Sequence, residues 1–162
     1  MSAIVSRPHV ARINISRGGV PKAPVPRAGI TVEGVEGDAQ ADRKHHGGPD
    51  RAVSLFSLEL IEKLRGEGHP IAPGTTGENL TISGVDWASI SPGARLRFAG
   101  GVELEITSFA NPCATIRDSF RDLDSRRIKQ EFHPGESRLY ARVLKPGTIE
   151  SGETFVVASS RS

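Results

Sequence analysis

The chain has 162 residues, with 21 Lys+Arg against 19 Asp+Glu, a formal net charge of +2, 5% aromatic content, one cysteine, 18 glycines and 11 prolines. Nearly balanced charge and few stacking rings argue against a nucleic-acid partner. No run approaches the ~20 apolar residues of a membrane span, and one cysteine forms no internal disulfide, which fits a reducing compartment.

At this length one domain covering residues 1–162 is the expectation. It would bury roughly 68–70% of its unfolded surface, so it needs no disulfide or structural metal to fold. Residues 1–8 carry no apolar core long enough for a signal peptide, and the reading is a soluble cytoplasmic protein.

In chain order, residues 10–15 alternate apolar and polar side chains and predict a strand, broken by Ser16-Arg17-Gly18-Gly19. Residues 18–27 hold three prolines and must be irregular or extended. A short strand at 30–33 and a turn at 34–37 follow. The polar stretch 38–51 shows no apolar period, and 52–56 reads as a buried strand. Ser57 is a good N-cap for a helix over 58–65, with Glu59 and Lys63 at i,i+4 and Gly66 as its stop. A turn-rich loop leads to Gly77-Glu78-Asn79-Leu80-Thr81-Ile82. Residues 94–98 and 102–107 both alternate around Gly100-Gly101, which predicts a β-hairpin. After Cys113, Ile116, Phe120 and Leu123 recur at helical spacing. Residues 140–144 and 154–157 predict closing strands. Many short strands and two modest helices point to a mainly β fold, β-barrel-like or mixed-sheet, with a few short helices.

Three segments carry candidate chemistry. Cys113 lies where an extended segment gives way to the helical pattern, so the unpaired N–H groups there favour thiolate over thiol; Arg117, one turn on, adds a cation. Against this stands the commonest fate of a free cysteine, a small buried hydrophobe. The stretch from Gly37 to Arg51 crowds Asp38, Arg43, Lys44, His45, His46, Asp50 and Arg51 around Gly47 and Gly48, which let a ligand approach the backbone. Arg43, Lys44 and Arg51 suit a phosphate or another oxyanion. Adjacent side chains in an extended segment point apart, so His45 and His46 do not chelate one ion together; His46, beside the glycines, is the one expected to face the site. A solvated Gly-Gly loop is the competing reading. Glu78 and Asn79 sit just before a strand, where binding residues are commonly mounted, although both could simply cap and turn the chain. His9, His69 and His133 lie in turn-rich contexts and read as surface residues.

Gly37-Asp38, then Lys44-His45-His46-Gly47-Gly48 with Asp50 and Ala52-Val53, then Gly77-Glu78-Asn79-Leu80, then Pro112-Cys113 resemble the ordered motifs of the MOSC family, named for the C-terminal domain of molybdenum-cofactor sulfurases. The likeness runs from about Arg12 to Val157. Two departures stand out: Thr76 precedes the Gly-Glu-Asn-Leu run where many members carry a larger apolar residue, and Phe109-Ala110-Asn111 occupies the place of a Pro-Arg pair.

The resemblance implies a β-rich, barrel-like fold and molybdenum-cofactor (molybdopterin) chemistry, with Cys113 in the position of a molybdenum ligand. A thiolate is a soft donor suited to such a metal. Arg43, Lys44, Arg51 and Arg117 are then candidates for the pterin phosphate, and Asn79 for the pterin edge. The leading expectation is an oxidoreductase that reduces small N-hydroxylated substrates using a separate electron-donor reductase. The alternative is a sulfur carrier without a cofactor, taking a persulfide on Cys113 from a separate pyridoxal-phosphate-dependent cysteine desulfurase. A third is a cofactor-binding or storage module without turnover.

Overall fold

Side chains that alternate between core and solvent build most of this molecule, and the clearest case is the hairpin around Gly100-Gly101. In the computed structural model, which describes residues 7–39 and 48–158, its strands are Arg95–Phe98 and Glu103–Phe109. Leu96, Phe98, Leu104 and Ile106 point inward and are buried. The outward residues pair across three strands, with Glu105 bridging Arg95 and Arg142, and Glu103 bridging Arg97 and Lys145. Such exposed pairs stabilise by only a few tenths of a kcal/mol each, roughly, so the inward face decides the register.

Among the described residues the strands in chain order are β1 (His9–Ile15), β2 (Ala23–Val25), β3 (Arg27–Thr31), β4 (Gly34–Val35), β5 (Val53–Ser57), β6 (Leu80–Ser83), β7 (Arg95–Phe98), β8 (Glu103–Phe109), β9 (Leu139–Lys145), β10 (Gly147–Glu150) and β11 (Phe155–Ala158), with the α-helix α1 (Leu58–Gly66). They form an eight-stranded sheet in the order β11-β7-β8-β9-β5-β6-β1-β2 and a three-stranded sheet in the order β10-β3-β4. Among the described strands only β5 and β6 pair parallel, joined by the α1 crossover. Ser57 caps α1 by accepting the Leu60 N–H, while Ile61 and Leu64 bury its inner face. All five residues of β5 are buried, as a strand in the middle of a sheet and covered on both faces requires.

The mainly β class expected from the sequence holds, and the sheets do not close into a full barrel. The last residues of β1 pair with β2, whereas its first residues meet the turn before β11 through a single bridge between His9 and Thr154. Backbone bonds Val10 N–H to Glu153 O (2.9 Å) and Gly152 N–H to Val10 O (2.7 Å) reinforce that junction. The sheet curls until its ends touch, but among the described residues no continuous ladder closes it, because β2 shares the same edge of β1.

Two further expectations change. The helix after Cys113 is a 3-10 turn over Ala114–Ser119: Ile116 and Phe120 are buried as the spacing implied, but Leu123 is exposed, with a left-handed φ of 59°. His69 is a core residue, not a surface one. Its Nδ1 accepts the Arg121 N–H, and its ring stands edge-on to Phe120.

Candidate functional site

Cys113 occupies the capping position of the 3-10 turn in an extended conformation, half-buried, with no side-chain cap bond. Its place is fixed from both sides. Upstream, Ala110 N–H donates to Arg138 O (2.9 Å) and Ser137 Oγ donates to Ala110 O (3.3 Å), carrying the chain off the end of β8 against the start of β9. Downstream, Ile116 and Phe120 anchor the turn in the core, and Ser119 Oγ donates to Thr75 Oγ1 (2.8 Å). The cysteine loop thus lies against the 74–78 loop that leads into β6.

Arg138 joins those two loops. It is buried, donating from Nη1 to Thr76 O (2.8 Å) and from Nη2 to Asn111 O (3.3 Å). Its Nε has no partner among the described residues. Burial pushes the guanidinium below the ordinary arginine value, opposed by Tyr140, Glu78 and Cys113. Nothing in the local sequence Glu136-Ser137-Arg138-Leu139 flags this residue. Its importance comes from tertiary burial at the head of β9.

Glu78 is fully buried, and its carboxylate accepts from Gly74 N–H, Thr76 Oγ1 and Thr81 Oγ1 at 2.8–3.1 Å. Thr76, whose small side chain stands out in the sequence, therefore supplies a hydroxyl to that carboxylate. Asn79 is equally committed: Oδ1 accepts from Ser54 N–H and Ser54 Oγ, and Nδ2 donates to Asp38 Oδ2 (3.0 Å) and Asn14 O (3.4 Å). In this structure both side chains spend their polar atoms on the scaffold, and neither presents an open edge to a ligand. Asp38 belongs to the same network. Its Oδ2 also receives Lys22 Nζ at 2.8 Å, and its Oδ1 receives Ser16 N–H at 2.8 Å. Lys22 has no motif to mark it in the sequence, yet it is the cation that holds Asp38.

Gly48, Asp50 and Arg51 flank the polar loop on its far side and are exposed. Gly48 has φ 98°, and among the described residues a Cβ there would meet nothing within 4 Å, so they leave this backbone open to an approaching group. Thr107 Oγ1 donates to Asp50 O, and the Arg51 guanidinium stands 5.5 Å from the Tyr140 ring centroid. A cavity of about 630 Å³ is lined by Gly37, Asp38, Gly48, Pro49 and Ala52 among others, at the two ends of the polar loop. Arg117 is exposed on the 3-10 turn. The expected contacts of Arg43, Lys44, His45, His46 and Gly47 lie outside the described residues. Among the described residues no group of three or more His, Cys, Asp and Glu side chains gathers to hold a metal ion. The metal-capable donor of greatest softness is the Cys113 sulfur.

The fold and this geometry define a mixed, mainly β domain with a half-buried thiol in a loop pinned by a buried cation and, lined by other residues, a glycine-bordered cavity. The chain belongs to the MOSC domain family, whose model matches residues 42–156. It is 29% identical over 131 residues to YflK of Bacillus subtilis, a stretch covering 78% of this chain and 57% of that protein. It is also 29% identical over 129 residues to a protein of Gibberella moniliformis named "Reductase", covering 77% of this chain and 22% of that one. The chain thus matches little more than half of one relative and a small part of the other. Among solved structures, the YuaD protein of Bacillus subtilis superposes with a TM-score of 0.78 over 95% of this chain and 97% of that one, at 19% identity, a likeness of fold.

Proposed function

We propose that this protein binds the molybdenum cofactor through Cys113 and acts as an oxidoreductase on small N-hydroxylated compounds. The observation that carries the reading is the Cys113 loop. It presents a half-buried thiol, anchored on both sides, next to a guanidinium that has lost its water and has an unsatisfied N–H. Membership in the MOSC family supports the choice of cofactor. The name of the fungal relative supports the reaction class.

The residues present fit such a group. One soft sulfur donor suits a metal that arrives with its own sulfur chelate. The open backbone at Gly48 and the adjoining cavity leave room for a bulky organic part, and Arg43, Lys44, Arg51 and Arg117 are proposed to take its phosphate. Bound molybdenum would supply two-electron redox chemistry that side chains lack.

The rest falls to the chain's own residues. Cys113 offers its sulfur lone pair from a loop that cannot drift, because Ala110 and Ile116 are both tied to the fold. Arg138 holds positive charge near that sulfur. Glu78, Asn79 and Asp38 fix the loops between which substrate would enter, and His46 is the proposed proton carrier. Electrons would come from a separate reductase.

A second reading rests on the same reachable thiol. As a sulfur carrier without a bound cofactor, Cys113 would accept a persulfide from a separate pyridoxal-phosphate-dependent cysteine desulfurase. Two experiments divide the readings. Turnover of an amidoxime or a hydroxylaminopurine with an added reductase, abolished in Cys113→Ser, supports the oxidoreductase, and no turnover by cofactor-loaded protein contradicts it. Intact-mass analysis after incubation with a desulfurase and cysteine tests the carrier, which fails if Cys113 gains no sulfur.

A further inference from the structure

We propose that Arg138 makes the surroundings of Cys113 an oxyanion subsite: a carboxylate or phosphate group of the molecule that reaches the sulfur is drawn there by this guanidinium. The inference borrows from the proposed function only the choice of Cys113 as the reacting atom.

Arg138 is 7% exposed. Two of a guanidinium's five donors are used, both on neutral carbonyls, Thr76 O and Asn111 O, and Nε–H has no partner. No carboxylate lies within ion-pair distance of it among the described residues. The nearest relation is indirect: Thr76 gives its carbonyl to Arg138 and its hydroxyl to Glu78. The Glu78 carboxylate already accepts from three donors of its own loop and β6. A cation taken out of water with only carbonyl partners is costly and rarely retained without an anion to meet it. Of the groups that act on its charge, Glu78 alone is a carboxylate. Through Asn111 the guanidinium pins the Cys113 loop, which is open to solvent. The carbonyl bonds also fix the plane of the guanidinium, so its remaining donors are pre-organised for an oxyanion.

A structural staple alone would explain the two carbonyl bonds. It does not explain a charged side chain where a neutral amide would serve, and the two roles separate in one measurement. Cys113 is alkylated by iodoacetate, an anion, and by iodoacetamide, its neutral analogue, at one pH and ionic strength, with intact mass as readout. Both reagents attack the same thiolate, so the ratio of rates cancels its population and reports the local charge.

The expected iodoacetate-to-iodoacetamide ratio in the wild type is about fivefold or more above that of N-acetylcysteine amide. Arg138→Met returns it toward that reference, while Arg126→Gln, at an exposed cation paired with Asp124, leaves it within about twofold. Inorganic phosphate slows iodoacetamide labelling of the wild type but not of Arg138→Met. A wild-type ratio at or below the free-thiol reference overturns the proposal and needs no variant. An unchanged ratio in folded Arg138→Met also overturns it. If Arg138→Met does not fold, Arg138→Lys decides: the ratio should persist with the charge and fall only in part. Protein that prefers iodoacetate yet never binds molybdenum keeps the anion subsite and loses the cofactor. The opposite result does the reverse.

Discussion

Replacing Asp38 with asparagine changes one oxygen for an amide nitrogen and should cost far more than its size suggests. The Asp38 side chain is 4% exposed and that of its partner Lys22 10%. Oδ2 receives both Lys22 Nζ at 2.8 Å and Asn79 Nδ2 at 3.0 Å, while Oδ1 receives Ser16 N–H at 2.8 Å. In Asp38→Asn the new amide has one acceptor for three donors. Kept on Ser16, its NH₂ confronts the ammonium and the Asn79 amide; turned over, it confronts Ser16 N–H. Either way Lys22 is left buried without an anion. Stranding one member of a buried pair costs about 3–5 kcal/mol. Lys22 retains a little solvent, so we expect the lower end, ~3 kcal/mol. For a chain of this size that corresponds to a fall in Tm of about 6–12 °C. Thermal unfolding followed by far-UV circular dichroism measures it. A Tm within about 2 °C of the wild type would show that the cluster contributes little and that Asp38 is not a scaffold residue.

Gly74 has φ 86°, and a Cβ there would lie 2.4 Å from Lys22 O, a backbone atom that cannot swing aside. Gly74→Ala should therefore destabilise by about 2 kcal/mol or more, and equal denaturant midpoints would refute this. Glu136 gives the pH dependence. Burial raises its carboxyl, but hydrogen bonds from Lys63 and Arg127 outweigh that and hold it below the ordinary 4.5. A lowered folded-state value means the stabilisation is present above pH 4.5 and is lost as pH falls through that lower value. Glu136→Gln should thus be less stable than wild type at neutral pH by about 0.5–1 kcal/mol, with the gap closing in acid; a gap independent of pH contradicts the assignment.

Much of the scaffold was legible because its signals are local. Period-two alternation located β1, β7 and β8, and Ser57 with its following apolar period located α1. Elements lacking local signals escaped. β10 begins at Gly147 directly after Lys145-Pro146, and its Ile149 is buried only because it pairs with β3. The 3-10 turn after Cys113 carries a helical spacing through Ile116 and Phe120, which tertiary packing satisfies without an α-helix. The candidate site divides the same way. Cys113, Glu78, Asn79 and Asp38 stand out as residue types in a pattern, but a pattern does not say which polar atoms are already spent. Ser54, Thr76, Thr81 and Lys22 engage the last three inside the fold, and those partners lie from 2 to 25 positions away in sequence. Arg138 was invisible for a related reason: an arginine before a strand looks solvated until β8 and the 74–78 loop close over it.

The most direct test is the molybdenum content of protein purified from a cofactor-replete host, wild type beside Cys113→Ser, with circular dichroism confirming that both are folded. The account predicts roughly equimolar molybdenum in the wild type and almost none in the serine variant, since oxygen replaces the one soft donor. Wild-type protein without molybdenum, or a serine variant that retains it in full, would contradict the claim that this sulfur holds the metal.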